Sequence, residues 1–364
     1  MELTKCKLGE LITQRREKND GSDLPICGVS KDGLIPPKQK DADTSIYNVF
    51  YRDDFIFNPA RMELNSIAIN DMYDRAICSS LYEVFYVHRT DLLLPHYLEL
   101  IIRQKWFTRY CEFLGQGSAR EYCRFGNISE IEIEFPPIEE QQKIVEYNTA
   151  IENRIALKQK INDNLEAQAN AIFSSSAPDF TDLQPIHNFG TVITGKTPPT
   201  SVAEYYGNDI PFIKTPDMHG NVYITSSECS LSKAGADSQK NKYIPENTVV
   251  VACIGANAGE VALTSYIAQT NQQINAIISK YPCFLYFSIK AHTVELRTLG
   301  EGSSTMININ KTSFENYEIP TPSDNTLQQL EHKLNIIFSA ILHNLQEIDR
   351  LNETKDLLVT QLSR

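Results

Sequence analysis

The chain lacks a membrane-length apolar segment: its run at Val249 to Cys253 is far short of the roughly 18 residues a spanning helix needs. It lacks any surplus of positive charge, since 34 Lys and Arg stand against 46 Asp and Glu, for a formal net charge of -12. Non-specific affinity for nucleic acid comes from neutralising phosphates, so a DNA-binding face on this chain must be local. The eight cysteines form no CxxC pair and follow no secretory segment, which argues against both a metal cluster and a disulfide framework and for reduced thiols in a cytoplasm. None of the seven histidines pairs at metal-ligand spacing. What is present is ordinary globular composition, 41% hydrophobic and 22% charged over 364 residues, enough for two well-filled cores.

One segment imitates an ATPase. In GTVITGKTPPT, Gly190, Gly195, Lys196 and Thr197 satisfy the spelling of a phosphate-binding loop. A true phosphate loop opens directly into a helix whose first amides hold the anion. Here Val192 and Ile193 favour strand, and Pro198-Pro199 forces extended backbone where that helix must begin. Two other spellings fail for similar reasons. FNPARM, from Phe57, lacks the second proline and the aromatic of an amino-methyltransferase motif and reads as a strand end. Glu353-Thr354-Lys355 has a nuclease-like spacing but falls inside a charged helix face. No catalytic constellation emerges.

The chain is one unit written twice. GQGSAREYCRFGNISEIEIEFPP from Gly115 aligns without a gap with GEGSSTMININKTSFENYEIPTP from Gly300, 185 residues later. KLGELI from Lys7 answers NFGTVITG from Asn188, and IYNVFYRDDFIFNPARM answers KYIPENTVVVACIGANAG as the approach to a buried strand. Each copy ends in a Pro-rich hinge followed by a helical stretch. The first stretch carries Ile144, Ile151, Ile155, Ile161, Leu165 and Ile172 on one imperfect stripe without Gly or Pro, a helix of about 36 residues and about 54 Å. The second places Leu327, Leu330, Leu334, Ile337, Ile341, Leu345, Ile348, Leu358 and Leu362 at three- and four-residue steps, which is coiled-coil spacing. Helices that long outrun a single domain, so the expectation is that they pair with each other, antiparallel if a pseudo-twofold axis relates the copies. The predicted fold is α+β: two β-rich mixed domains, at 1–135 and 178–320, in pseudo-twofold repeat, separated by spacer helices at 136–177 and 321–364.

FPPIEEQQKIVEYNTAIENRIALKQKINDNLEAQANAIF resembles the central conserved region of the specificity subunits of type I restriction-modification systems: a proline hinge, an acidic pair, Gln-Gln, a basic residue, Ile-Val, then a long helix with Lys-Ile-Asn. The second copy is similar but degraded, keeping Pro320-Thr321-Pro322 and Gln328-Gln329-Leu330. YIPENTVVVACIGANAGEVALT and TNQQINAI also look like the family's. The resemblance spans essentially the whole chain. It implies a non-catalytic, cytoplasmic, prokaryotic reader of double-stranded DNA, whose two target recognition domains each read one half of a split site. It further implies that the helices set the spacing and dock two methylation subunits, which carry S-adenosylmethionine. Restriction subunits with an ATP- and magnesium-dependent motor can join; this chain itself carries no cofactor and no metal. Two alternatives stay open, a specificity chain of a simpler, type IIB-like methylase-nuclease and a coiled-coil scaffold that binds no DNA.

The two halves differ strongly in sequence, so the half-sites should differ and the full target should not be a palindrome. Lysines cluster at corresponding places, Lys31, Lys38 and Lys40 in SKDGLIPPKQK and Lys233, Lys240 and Lys242 in SKAGADSQKNK, and are candidate phosphate contacts. Candidate base readers are Lys214, Asp217, His219 and Asn221 in IKTPDMHGNV, with Arg61 and Arg75 in the first half. Lys196 of the false phosphate loop joins the DNA-binding candidates.

Overall fold

The computed structural model describes residues 3–37, 44–114, 122–301 and 307–361. Lys38, Lys40 and the Gly115 to Ser118 motif lie outside the described residues. The chain divides into two compact units, Met1–Arg154 with Leu351–Arg364, and Ile155–Arg350, so the division falls inside both long helices.

The first unit contains β1 (Thr4–Lys7), β2 (Ile12–Arg15), β3 (Ile26–Ser30), β4 (Gly33–Ile35), β5 (Asn48–Tyr51), β6 (Phe55–Phe57), β7 (Ile67–Ile69), β8 (Arg75–Cys78) and β9 (Glu83–Val87). After α1 (Pro95–Ile102), α2 (Lys105–Leu114) and α3 (Phe125–Ser129) comes β10 (Glu132–Phe135). Two four-stranded sheets run in the orders β2-β9-β6-β7 and β4-β3-β8-β5, and β1 pairs with β10. Strand alternation explains the run Phe55-Ile56-Phe57. Phe55 and Phe57 point into one core with Phe85, Tyr97 and Ile101, while Ile56 points into the opposite one with Phe50 and Val84. A sheet covered on both faces has no polar side, so its strands read as continuous apolar runs. Each such side chain, fully buried, contributes about 1.5–3 kcal/mol.

Pro136-Pro137 ends β10 and α4 (Ile138–Ser176) begins. Glu139 and Glu140 stand in its first turn, where the helix dipole favours negative charge. Gln141 explains the second half of the signature. It is fully buried, accepts from the Leu94 amide at 2.9 Å, and donates to the carbonyls of Leu92 at 2.7 Å and Pro136 at 2.8 Å. Those three bonds fix the direction in which the helix leaves its domain.

The second unit repeats the plan. Its strands are β11 (Asp182–Pro185), β12 (Gly190–Thr194), β13 (Tyr206–Ile213), β14 (Tyr223–Ile224), β15 (Ser230–Leu231), β16 (Val249–Ala252), β17 (Val261–Thr264), β18 (Gln269–Thr270), β19 (Ile274–Ser279) and β20 (Glu318–Thr321). Its helices are α5 (Lys233–Asp237), α6 (Pro282–Ala291), α7 (Thr293–Thr298), α8 (Lys311–Glu315) and the start of α9 (Asp324–Gln361). The order β12-β19-β16-β17 reproduces β2-β9-β6-β7, and the parallel pair β13 and β18 reproduces β3 and β8. Val249 and Val251 face one core, Val250 and Ala252 the other, as in β6.

The structure corrects the ungapped alignment. Cys6 pairs with Ile133 and Gln184 with Ile319, and α4 and α9 start at Ile138 and Asp324, so equivalent residues here are 186 apart (319 − 133; 324 − 138) rather than 185. A slip of one residue exchanges the faces of a strand, and only the 186 offset superposes buried Ile133 on buried Ile319.

Within each unit the helical segments run antiparallel. In the second, Lys158 meets Glu347 at 2.9 Å and Asn162 meets Asn344 at 2.8 Å; in the first, Glu152 meets Lys355 at 3.3 Å. One stripe assignment is corrected, and Leu345 packs against the core as expected. Ile161 is exposed, while the seam in the second unit passes through Lys158, Asn162, Leu165 and Ala169, and on α9 Asn344 is more deeply buried than Leu345.

Candidate nucleic-acid interface

In the first unit the turn between β3 and β4 and the 3-10 turn after β6 border a cleft of about 1330 Å³. Asn58 caps that second turn, its side chain accepting from the Ala60 amide at 3.1 Å, and Arg61 follows with its side chain exposed. Among the described residues, four cations line the cleft: Lys31, Arg61, Arg103 and Arg124. Two are restrained. Arg103 donates to the Lys31 carbonyl at 2.9 Å and pairs with Glu99, and Arg124 pairs with Glu83 at 3.2 Å and lies over the Tyr122 ring at 5.7 Å. The side chains of Lys31 and Arg61 have no hydrogen-bond or ion-pair partner among the described residues. Arg75 is placed elsewhere. It holds Glu17 at 3.3 Å and Asp20 at 3.4 Å, beside Tyr51 and next to the Arg15–Asp54 pair, and works as a brace inside the domain.

In the second unit the false phosphate loop has a different role. After β12 the chain stays extended through Pro199, so no helix presents amides to an anion. Gly195 is required by close approach: a Cβ there would lie 2.1 Å from the Asn271 carbonyl oxygen. This contact sets Lys196 at the surface. Buried Gln239 then donates to the Lys196 carbonyl and to buried Gln269, both at 2.8 Å, and Lys242 donates to the Thr194 carbonyl at 2.9 Å. Two loops far apart in sequence thereby become one basic patch carrying Lys196, Lys240 and Lys242. Lys196 and Lys240 have no hydrogen-bond or ion-pair partner among the described residues. Beside them Thr197 donates its hydroxyl to Gln272 at 2.6 Å.

The remaining candidates do not join this patch by any such bond. Lys233 pairs with Asp237 at 3.3 Å within α5. Lys214 donates Nζ to Cys229 Sγ at 2.9 Å, and this bond pushes its pKa up. Asp217 spends both carboxylate oxygens on the amides of Lys214 and Glu228. His219 sits between Glu260, 3.0 Å from Nδ1, and Asn257, 3.1 Å from Nε2, so both ring nitrogens are engaged. Asn221 is exposed and borders a separate hollow of about 520 Å³ with Lys290 and Arg297. The sequence reading missed Arg103, Arg124, Tyr122 and Gln272, although Tyr122 and Arg124 lay in the repeated segment from Gly115 and Gln272 in TNQQINAI.

The chain matches the family described as type I restriction modification DNA specificity domain twice, over residues 6–167 and 183–356. The specificity subunit of the type I restriction enzyme HindI from Haemophilus influenzae is 30% identical over 355 residues, covering 75% of this chain and 77% of that protein. The MjaIX specificity subunit from Methanocaldococcus jannaschii is 27% identical over 183 residues, 48% of this chain and 42% of that one. Among solved structures, the S subunit of a type I restriction-modification system from M. genitalium superposes with a TM-score of 0.64, covering 100% of this chain and 96% of that one at 13% identity, a likeness of fold.

Proposed function

This chain belongs to the family of type I restriction-modification DNA specificity subunits, and from that membership we propose how its parts divide the work. It is a sequence-specificity subunit whose two domains fit a bipartite target. The first domain reads one half-site through the cleft holding Lys31 and Arg61, the second reads the other through the patch of Lys196, Lys240 and Lys242. One interface is a cleft rich in guanidinium and the other a lysine surface with a fixed amide, so the half-sites differ and the full site is asymmetric. Helices α4 and α9 set the spacing and dock two methylation subunits, and restriction subunits can join that assembly. Methyl transfer and cleavage belong to those partners, which supply S-adenosylmethionine on one side and ATP with magnesium on the other.

The observation that carries this reading is the duplication itself. Two copies of one strand order each run through a proline hinge into a long helix, as a reader of two separated half-sites requires. The helix of 39 residues is about 58 Å long, enough for half-sites one to two duplex turns apart at about 34 Å per turn. The test is to express the chain with its methylation subunit in a host free of the system and sequence the genome for modified bases. A split, asymmetric motif that vanishes when this chain is omitted is the expected result; the same motif without the chain sinks the reading.

A further inference from the structure

Residues 269–273 read Gln-Thr-Asn-Gln-Gln, four side-chain amides in five positions, of which Gln272 alone is exposed. Gln269 is fully buried, donates to the Ala236 carbonyl at 2.9 Å and accepts from Gln239. Asn271 donates to Gln273 Oε1 at 2.9 Å and accepts from the Gln273 backbone N–H at 3.1 Å, and the Gln273 side chain is half-buried. Gln272 is left facing solvent. Its Oε1 is held by the Thr197 hydroxyl at 2.6 Å, while both Nε2 hydrogens have no partner among the described residues. Thr197 is steadied in turn, because Tyr206 Oη donates to the carbonyl of the next residue, Pro198, at 2.8 Å.

An amide held by this bond is restrained before any ligand arrives, so a contact made through it costs less ordering. It offers a donor and, on the second lone pair of Oε1, an acceptor side by side. In the major groove that pattern matches adenine, which presents N7 as acceptor and N6 as donor; guanine presents two acceptors there. Lys196 directly precedes Thr197, and Lys242 and Gln239 bond to the same loop, so lysines available for phosphate contacts, which set the register without carrying sequence information, belong to the loops that hold this amide.

Resting on the reading of the chain as a DNA specificity subunit, we propose that Gln272 is a base-reading residue of the second domain and that it selects an adenine in the second half-site. Thr197 is its positioning residue, acting through the bond to Oε1.

The test uses the full chain co-expressed with its methylation subunit, with modified bases mapped genome-wide for the wild type, Gln272→Ala and Gln272→Glu. Gln272→Ala is expected to keep every position of the first half-site and to lose roughly tenfold to a hundredfold of discrimination at one A·T position of the second. Gln272→Glu is expected to move preference at that same position toward cytosine, whose N4 amine a carboxylate accepts. An unchanged motif in both variants overturns the assignment alone. A uniform loss at all positions, with an unfolding midpoint equal to wild type, also overturns it, since a phosphate contact or a packing role gives that pattern. If the wild-type chain directs no methylation, the specificity reading falls and this assignment with it.

Discussion

Arg61 and Arg75 are the same residue type, each near the end of a strand of the first domain, yet the fold uses them differently. Arg75 lies against Glu17, Asp20 and the Tyr51 ring, so its charge is spent inside the domain. Arg61 follows a capped 3-10 turn and reaches the cleft with its guanidinium uncommitted. Arg75→Ala is therefore expected to lower the thermal unfolding midpoint and leave the methylated motif as it was. Arg61→Ala is expected to leave unfolding within about 0.5 kcal/mol of wild type and to relax the first half-site only. Parallel melting curves and modified-base maps of the two variants decide it, and exchanged outcomes would exchange the roles. The sequence could not separate the two arginines, because the acids that neutralise Arg75 come from the stretch after β2, far from it along the chain. Lys196 shows the converse. Its motif named the wrong chemistry, but the glycine before it was a true signal of close backbone approach.

At the scale of elements, strand runs and helices were legible because burial writes a period into the sequence, while the helix seam was only partly so. A stripe search follows apolar residues, and here polar ones carry part of the seam of the second unit. Lys158 reaches both Asn344 Oδ1 at 2.8 Å and Glu347 at 2.9 Å, and Asn344 donates to Asn162 at 2.8 Å. Such a network fixes axial register, because any slide leaves its members unpaired. Asn344→Leu strips Lys158 and Asn162 of a partner in a half-buried site and is expected to cost about 1–3 kcal/mol by urea unfolding; an unchanged midpoint would show that the network carries no stability. Helix α9 also steadies its domain through Glu331, which accepts from the amides of Cys283 at 3.1 Å and Phe284 at 2.8 Å at the start of α6. Burial pushes the Glu331 pKa up, against those two bonds. A carboxyl raised in the folded state holds its proton longer there than in the unfolded chain, so its contribution is greatest below the ordinary carboxylate range. That contribution is lost as pH rises from the unfolded value, about 4.3, to the raised one. Asp54 and Glu99, also raised by burial, act with the same sign. Glu331→Gln removes one of these ionisations, and its unfolding free energy is expected to fall less steeply across that window than the wild type's. An identical slope would assign the dependence to other groups.

At the scale of the whole molecule, the repeat was the most legible feature, and its exact offset the least. Two gapless strings sharing Gly, Ser and Pro give 185, while strand pairing and burial demand 186, since only pairing reveals which face each residue takes. Net charge poses the last problem. A chain at -12 approaches a polyanion against its own field, and the basic groups identified here amount to a few side chains on each domain. Those patches can orient a duplex, but phosphate neutralisation supplies most of the affinity, and the supply on this chain is small. The methylation subunits are then expected to provide much of the phosphate clamp. Titrated alone against a duplex containing its site at physiological salt, the chain should bind in the non-specific range, with a Kd of about 10⁻⁶ M or weaker. Adding the methylation subunit should bring the complex toward about 10⁻⁸ M or tighter, with a steeper salt dependence as more counterions are released. Tight, sequence-specific binding by the isolated chain, with the same salt slope as the complex, would place the whole interface on this subunit and contradict the division of labour proposed for it.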